Sequence, residues 1–273
     1  MICSRVHAVA RTDIMERDEM EGNMDYRMNV KAIVLAAGKG TRMQAGDSDS
    51  PKVMRQVCGK PLIWYVLEAV SFIPREDIVL VVGYKKDDIL GMFSGYPHVD
   101  QTVQLGTGHA VMTAMPALEG FEGHVLVCYG DMPLLKRSTY EALIGAHFDN
   151  KNDCTILTGE SAVPLPYGRV QRGPDGGFLS VVEERDCTPE QYIIRELNSG
   201  VYMFEAGLLR EALQELRNEN AQGEYYLTDV PAIMCRRGAK TGICKLDLGH
   251  EIIGVNDPEQ LKQVEDILVT VQG

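Results

Sequence analysis

Two glycines, Gly38 and Gly40, follow the apolar run "VKAIVLAA", with Arg42 and Lys52 beyond them. Small residues after a strand let backbone N–H groups approach a polyphosphate, and mobile cations add charge to that cradle. The stretch therefore predicts a bound anion. Two familiar phosphate motifs do not fit it. The third glycine of G-x-G-x-x-G is replaced by Met43, and Cys58 stands where an acidic ribose ligand belongs. No Gly-Lys-Ser/Thr occurs at Walker A spacing. A lone G-x-G is often a tight turn, and Arg42 and Lys52 could be surface charges, but the combination raises all four.

Other residues carry chemistry with plainer readings beside it. Asp131 ends the strand-like "HVLVCYGD". It is either a turn residue or, at the carboxyl end of a central strand, a metal ligand. Asn256 precedes Asp257-Pro258, so a helix N-cap is an equal alternative to a ligand. Glu183 in "VVEERD" reads by itself as a solvated charge, and Asn198 and Thr228 carry almost no signal alone. His109 and His124 are read as structural.

These residues need elements to place them. "VKAIVLAA", "DIVLVVG" and "HVLVCYGD" read as buried strands, and "VDQTVQL" as strand-like. "KPLIWYVLEAV", with Pro61 at a first helical position, "DDILGMF" and "GHAVMTAMPAL" read as helices. This alternation predicts a doubly wound, mostly parallel α/β sheet of the Rossmann-like kind, with ligand over the strands' carboxyl ends. From about Lys136 the pattern is mixed, with "DCTILTGE", "YGRVQR", "GFLSVVEE" and "NSGVYMFE" as strands. "AGLLREALQELRNE" and "YLTDVPAIMCRRG" read as helices. One unit with two lobes is expected. The predicted organisation is an extension over 1–27, a catalytic domain over 28–257 and a helix over 258–273.

The chain has 273 residues, 45% hydrophobic and 24% charged, values of a soluble protein with a substantial core. Its 39 acidic against 27 basic residues give a net charge of −12, which excludes a general nucleic-acid binder. No apolar stretch approaches a membrane span, so no membrane partner is expected. Seven cysteines without a C-x-x-C pair argue against disulfides or zinc and for the cytoplasm. Residues 1–28 hold five of 13 methionines and no sustained apolar period. They are expected to be a disordered extension, or to precede a true start near Met28.

Nine blocks decide the sequence reading: "LAAGKGTRM", "SPKVMRQVCGKPLI", "QLGTGHAV", "VCYGDMPLL", "YGRV", "VVEERD", "LNSGVYMF", "NAQGEYYLTD" and "GVND". In this order they resemble the sugar-nucleotide pyrophosphorylases, most nearly the bacterial N-acetylglucosamine-1-phosphate uridylyltransferases, over roughly residues 30–260. The resemblance implies a nucleotidyltransferase fold with a mixed sugar-binding lobe. It implies uridylyl transfer from UTP to N-acetylglucosamine 1-phosphate with Mg2+. It assigns nucleotide binding to Leu35, Ala36, Ala37, Gly38, Lys52, Gln101, Gln104, Gly106 and Thr107. Tyr129, Gly130, Gly168, Glu183, Asn198, Thr228 and Asn256 become the sugar site, and Asp131 and Asn256 the metal ligands. Arg42, Lys52 and Asp131 are the catalytic candidates.

The chemistry is compatible with those residue types. A sugar phosphate is already an anion at neutral pH, so no general base is required. Repulsion between polyanions must be offset by cations and positioning. The resembling bifunctional enzymes continue into a left-handed β-helix of hexapeptide repeats, which are absent here, so acetyl transfer is not expected. Neither is the trimer held by that domain; a monomer or weak dimer is. Another sugar 1-phosphate or nucleotide, or a catalytically silent nucleotide-sugar sensor, are the alternatives.

Overall fold

The computed structural model describes residues 29–40, 50–161 and 165–272. Arg42 and the 1–27 segment lie outside the described residues. The first half runs β1 (Val30–Leu35), a 3-10 turn (Lys52–Met54), β2 (Gln56–Val57), β3 (Lys60–Pro61), α1 (Leu62–Ala69) and β4 (Ile78–Val82). It continues through α2 (Lys86–Phe93), β5 (His98–Asp100), α3 (Thr107–Ala114) and β6 (His124–Tyr129). The second half has α4 (Arg137–Asp149), β7 (Cys154–Glu160), β8 (Arg169–Arg172), β9 (Phe178–Val182) and α5 (Pro189–Tyr192). It closes with β10 (Glu196–Glu205), α6 (Ala206–Leu213), α7 (Val230–Arg236), β11 (Thr241–Lys245) and α8 (Pro258–Gln272).

Seven strands lie side by side in the order β11-β7-β10-β6-β1-β4-β5. Their pairings make β10 the one strand of this path that runs against the rest. β8 pairs with β10 and with β9, which carries the sheet outward as a second, antiparallel lobe. The sheet is a mixed one with a mostly parallel centre.

Alternation along β1 explains how both faces are covered. Val30, Ala32 and Val34 pack with Leu62, Ile63 and Val66 of α1 and with Tyr140 and Leu143 of α4. Ile33 and Leu35 face the other way, toward Val111 and Ala114 of α3 and Leu209 and Leu213 of α6. Each such large aliphatic side chain contributes about 1.5–3 kcal/mol when buried. Because both faces are sealed, ligand chemistry is confined to the strand ends.

The carboxyl ends of β1, β4, β5 and β6 share one edge, since these strands are parallel neighbours. The order reverses between β1 and β6, so a crevice opens there. Three sequence expectations shift. Pro61 is extended (φ −67°, ψ 151°), pairs with Gln56 and caps α1 from outside the helix. The "VDQTVQL" strand stops at Asp100, because Gln101 turns inward and is only 4% exposed. The "AGLLREALQELRNE" helix ends at Leu213, six residues early. Among the described residues no helix is long and apolar enough to cross a membrane.

Candidate active site

The glycine loop leaves β1 at the crevice. The Ala36 N–H donates to Val81 O (2.8 Å), so the chain stays in register with β4 for one residue beyond the strand. Gly38 faces open space, with nothing within 4 Å of where a Cβ would stand. Gly40 has φ +65°, and a Cβ there would lie 2.7 Å from Lys52 Cβ. A side chain at Gly40 would therefore push away the base of the lysine that completes the cradle. This packing joins the G-x-G to Lys52.

Asp131 stands two residues past the end of β6. Its carbonyl accepts from Val255 N–H (3.0 Å), which fastens the "GVN" segment beside it. The N-cap of α8 is Asp257, whose Oδ1 accepts from Gln260 N–H (2.9 Å). Gln260 Oε1 in turn accepts from Asn256 N–H (2.7 Å). The capping reading of Asn256 is thereby corrected: Asp257 does that work and releases the Asn256 carboxamide. Its Oδ1 accepts from Lys52 Nζ at 3.0 Å. The same ammonium forms an ion pair with Asp131 Oδ2. The side chains of Lys52 and Asp131 are only 16% and 15% exposed, so water screens this pair weakly. Three residues far apart in sequence thus converge on one point.

Two cavities meet there. One, of about 580 Å³, has Leu35, Ala37, Gly38 and Lys52 on one side and Gln101, Gln104, Gly106 and Thr107 on the other. The second, of about 160 Å³, is walled by Gly168, Glu183, Asn198 and Tyr167. Tyr129, Asp131 and Asn256 line both.

The larger cavity is held by a tight polar loop. Gln101 Nε2 donates to Gly106 O (3.1 Å) and contacts His109 Nδ1 (2.9 Å), while Gln104 Nε2 donates to Gln101 O (3.1 Å). Thr107 Oγ1 accepts from Leu227 N–H (3.0 Å), tying the loop to the 3-10 turn ahead of α7. His109 thus braces Gln101, the structural part expected of it. The same holds for His124, which contacts His147 Nε2 (2.8 Å).

Three assigned residues stand behind the walls. Ala36 is 1% exposed and packs in the core. Gly130 donates its N–H to Leu35 O (2.9 Å) and steadies the ends of β1 and β6. Thr228, 2% exposed, donates from Oγ1 to Glu183 Oε1 (2.9 Å). Glu183 is thus no solvated charge. Burial pushes its carboxyl above the usual range, with Thr228 opposing and Asp229, Asp186 and Glu224 reinforcing the rise. The Tyr129 phenol is also pushed up, first by burial and then by Glu183, so it stays neutral at ordinary pH.

Sequence reasoning missed Tyr167, Gly200, Lys39 and Glu224. Tyr167 Oη accepts from Gly254 N–H (2.7 Å), bracing the Asn256 segment from the smaller cavity. Gly200 has φ +79° in the irregular middle of β10, and a Cβ there would collide with the Tyr129 ring. Lys39 and Glu224 line the larger cavity. Tyr167 and Glu224 lie inside recognised blocks, "YGRV" and "NAQGEYYLTD", but neither residue type signals its contact.

Comparison with known proteins gives this chain a family. A family model described as the MobA-like NTP transferase domain matches residues 32–225, more than half of the chain. The chain belongs to the MobA-like NTP transferase domain family. Curated proteins similar to it include the bifunctional protein GlmU of Pelotomaculum thermopropionicum, 43% identical over 88% of this chain and 52% of that protein. GlmU of Alkaliphilus metalliredigens is 40% identical and that of Streptococcus agalactiae 44%, with the same two coverages. The chain spans about half the length of the curated relatives it matches. A Bacillus anthracis protein assigned as a glucose-1-phosphate thymidylyltransferase, solved with sucrose, shares the fold at a TM-score of 0.66. It is 16% identical, with 87% of this chain and 94% of that one covered. The nucleotidyltransferase family and the fold seen in the sheet thus coincide.

Proposed function

We propose that this nucleotidyltransferase moves a uridylyl group from UTP to N-acetylglucosamine 1-phosphate, releasing UDP-N-acetylglucosamine and pyrophosphate. The observation that carries this reading is the wall common to both cavities. A nucleotide lying along the glycine loop would bring its phosphates to Lys52 and Asp131. A small sugar phosphate in the second cavity would reach the same place from the other side. The GlmU relatives support the choice of substrates.

The sugar phosphate oxygen attacks the α-phosphorus of UTP, and the bond from that phosphorus to the bridging oxygen of pyrophosphate breaks. Lys52 offers charge to the phosphates, with the glycine-loop N–H groups beside it. Glu183 and Asn198 offer acceptors and a donor to the sugar hydroxyls. Gln101, Gln104 and Gly106 border the space assigned to uracil. A base whose polar edge leaves buried groups unpaired is rejected there. Arg42 belongs to this reading as a further phosphate contact.

Magnesium fits the residues present. Asp131 Oδ2 and Asn256 Oδ1 already converge on one cationic atom, Lys52 Nζ. One carboxylate and one amide oxygen suit an ion that takes its other oxygens from phosphate and water. Among the described residues no cluster of three or more His, Cys, Asp or Glu side chains is placed to hold a metal alone. When bound there, Mg2+ would neutralise charge building on the phosphates. The reading places the protein in the cytoplasm, as a supplier of a cell-wall precursor and as a monomer or weak dimer.

A pyrophosphate-release screen of UTP, CTP, dTTP and GTP against several sugar 1-phosphates tests the assignment. UTP with N-acetylglucosamine 1-phosphate should give the highest kcat/KM. Equal turnover of UTP and dTTP would overturn the uridylyl assignment.

A further inference from the structure

Lys52 holds the two oxygens that the functional reading gives to a divalent ion. Its ammonium pairs with Asp131 Oδ2 and receives Asn256 Oδ1 at 3.0 Å. A second cation could not share both oxygens with it, because like charges at that spacing repel strongly in a weakly screened site. The base of the lysine is held, since Lys52 opens the turn Lys52–Met54, its carbonyl accepts from Arg55 N–H, and a Cβ at Gly40 would stand only 2.7 Å from its own Cβ. Beyond Cβ the side chain is a flexible stem ending in a compact charge with three donors, which changes partners readily. The same stem tip lines the cavity beside Gly38 and Gly40.

We propose that Lys52 is the resident counter-ion of the Asp131–Asn256 pair in the free protein, and that a divalent ion takes the pair only when nucleotide phosphates draw the ammonium away. This rests on the functional reading above. A triphosphate carries more negative charge than one carboxylate, so the ammonium transfers to it as the nucleotide enters. Until then Lys52 keeps both side-chain oxygens aimed at one point and guards them against stray cations. Nucleotide and divalent ion therefore bind as a coupled pair, each raising the affinity of the other by the same factor.

The test uses Mn2+ as a paramagnetic probe, with free Mn2+ counted by electron paramagnetic resonance during titration of the nucleotide-free protein. The wild type should bind weakly at this site. Lys52→Gln should bind about tenfold tighter or more, the effect of removing one poorly screened like charge. Lys52→Met, whose unbranched stem fills similar space, is measured in parallel, with circular dichroism to verify folding of each. Lys52→Arg keeps the charge and should stay as weak as the wild type. Adding Asp131→Asn to Lys52→Gln should abolish the gain. Mn2+ binding by folded Lys52→Gln or Lys52→Met no tighter than by the wild type would overturn the proposal.

A separate measurement keeps the functional reading distinguishable. Water-proton relaxation reports Mn2+ in the ternary complex with UTP. If Asp131→Asn loses that signal while Lys52→Gln gains nothing without nucleotide, the exchange falls and the metal reading stands. If Asp131→Asn keeps the full signal, the metal reading itself falls.

Discussion

At the scale of single residues, charge at the shared wall matters more than shape. Asp131→Asn preserves volume and removes the charge that faces Lys52. UTP should still bind, while turnover falls by roughly 10²-fold or more, about 3 kcal/mol of barrier, as for one lost preorganised electrostatic contact. Asn256→Ala should lose less, since water replaces a neutral oxygen. Steady-state kinetics at several Mg2+ concentrations reads both, and near-normal turnover of Asp131→Asn at low Mg2+ would refute the role. Asp131 and Lys52 were legible in the sequence because a strand-end carboxylate and a lysine after a glycine loop are unusual in those places. Asn256 was ambiguous because Asp257 beside it offers the same capping chemistry. Glu183 carried no signal of its own beyond the resemblance, since its partner Thr228 comes from a distant turn.

At the scale of elements, two glycines should respond to alanine in opposite directions. Gly200 holds a positive φ against the Tyr129 ring, so Gly200→Ala combines backbone strain with overpacking. A loss of about 2–4 kcal/mol is expected in chemical denaturation, together with weakened sugar-phosphate binding as Tyr129 shifts. Gly145 lies within α4 with nothing within 4 Å of its Cβ position. Gly145→Ala should stabilise by about 0.5–1 kcal/mol, because glycine is the poorer helix former. Equal effects of the two substitutions would contradict this account of β10. The central strands were legible because both of their faces are buried, which gives unbroken apolar runs. The shortening of β5 was not, for "VDQTVQL" alternates like a strand, and only the pull of Gln101 toward Gly106 and His109 ends it. The reversal of β10 was equally hidden, since strand direction leaves no mark on composition.

At the scale of the whole molecule, acid sensitivity should come from a buried pair remote from the cleft. His147 is fully buried and contacts His124 and Thr155, linking α4, β6 and β7. Burial, then the neighbouring His124, holds the His147 pKa down to about 3, and burial lowers that of His124 too. The unfolded imidazole takes up its proton near pH 6.5, whereas the folded one remains neutral. Stability is therefore full above about pH 6.5 and declines as pH falls toward about 3, by up to about 1.4 kcal/mol per unit for His147. Denaturation midpoints from about pH 7 to 5 should show this slope, flattened in His147→Asn. The same slope in both proteins would contradict it. The doubly wound architecture and the edge where the cavities lie were legible from the order of the elements. The two adjoining cavities were not, because their common wall is assembled from the end of β6, Asp131 beyond it and Asn256 before α8 only after folding. On the proposed function, the two cavities would hold both substrates side by side, for direct transfer with no protein nucleophile between them. Stereochemistry at the α-phosphorus tests this most directly, using UTP made chiral there by sulfur substitution and N-acetylglucosamine 1-phosphate as acceptor. The account predicts inversion from a single in-line displacement; retention, the mark of a covalent nucleotidyl-enzyme, would contradict it.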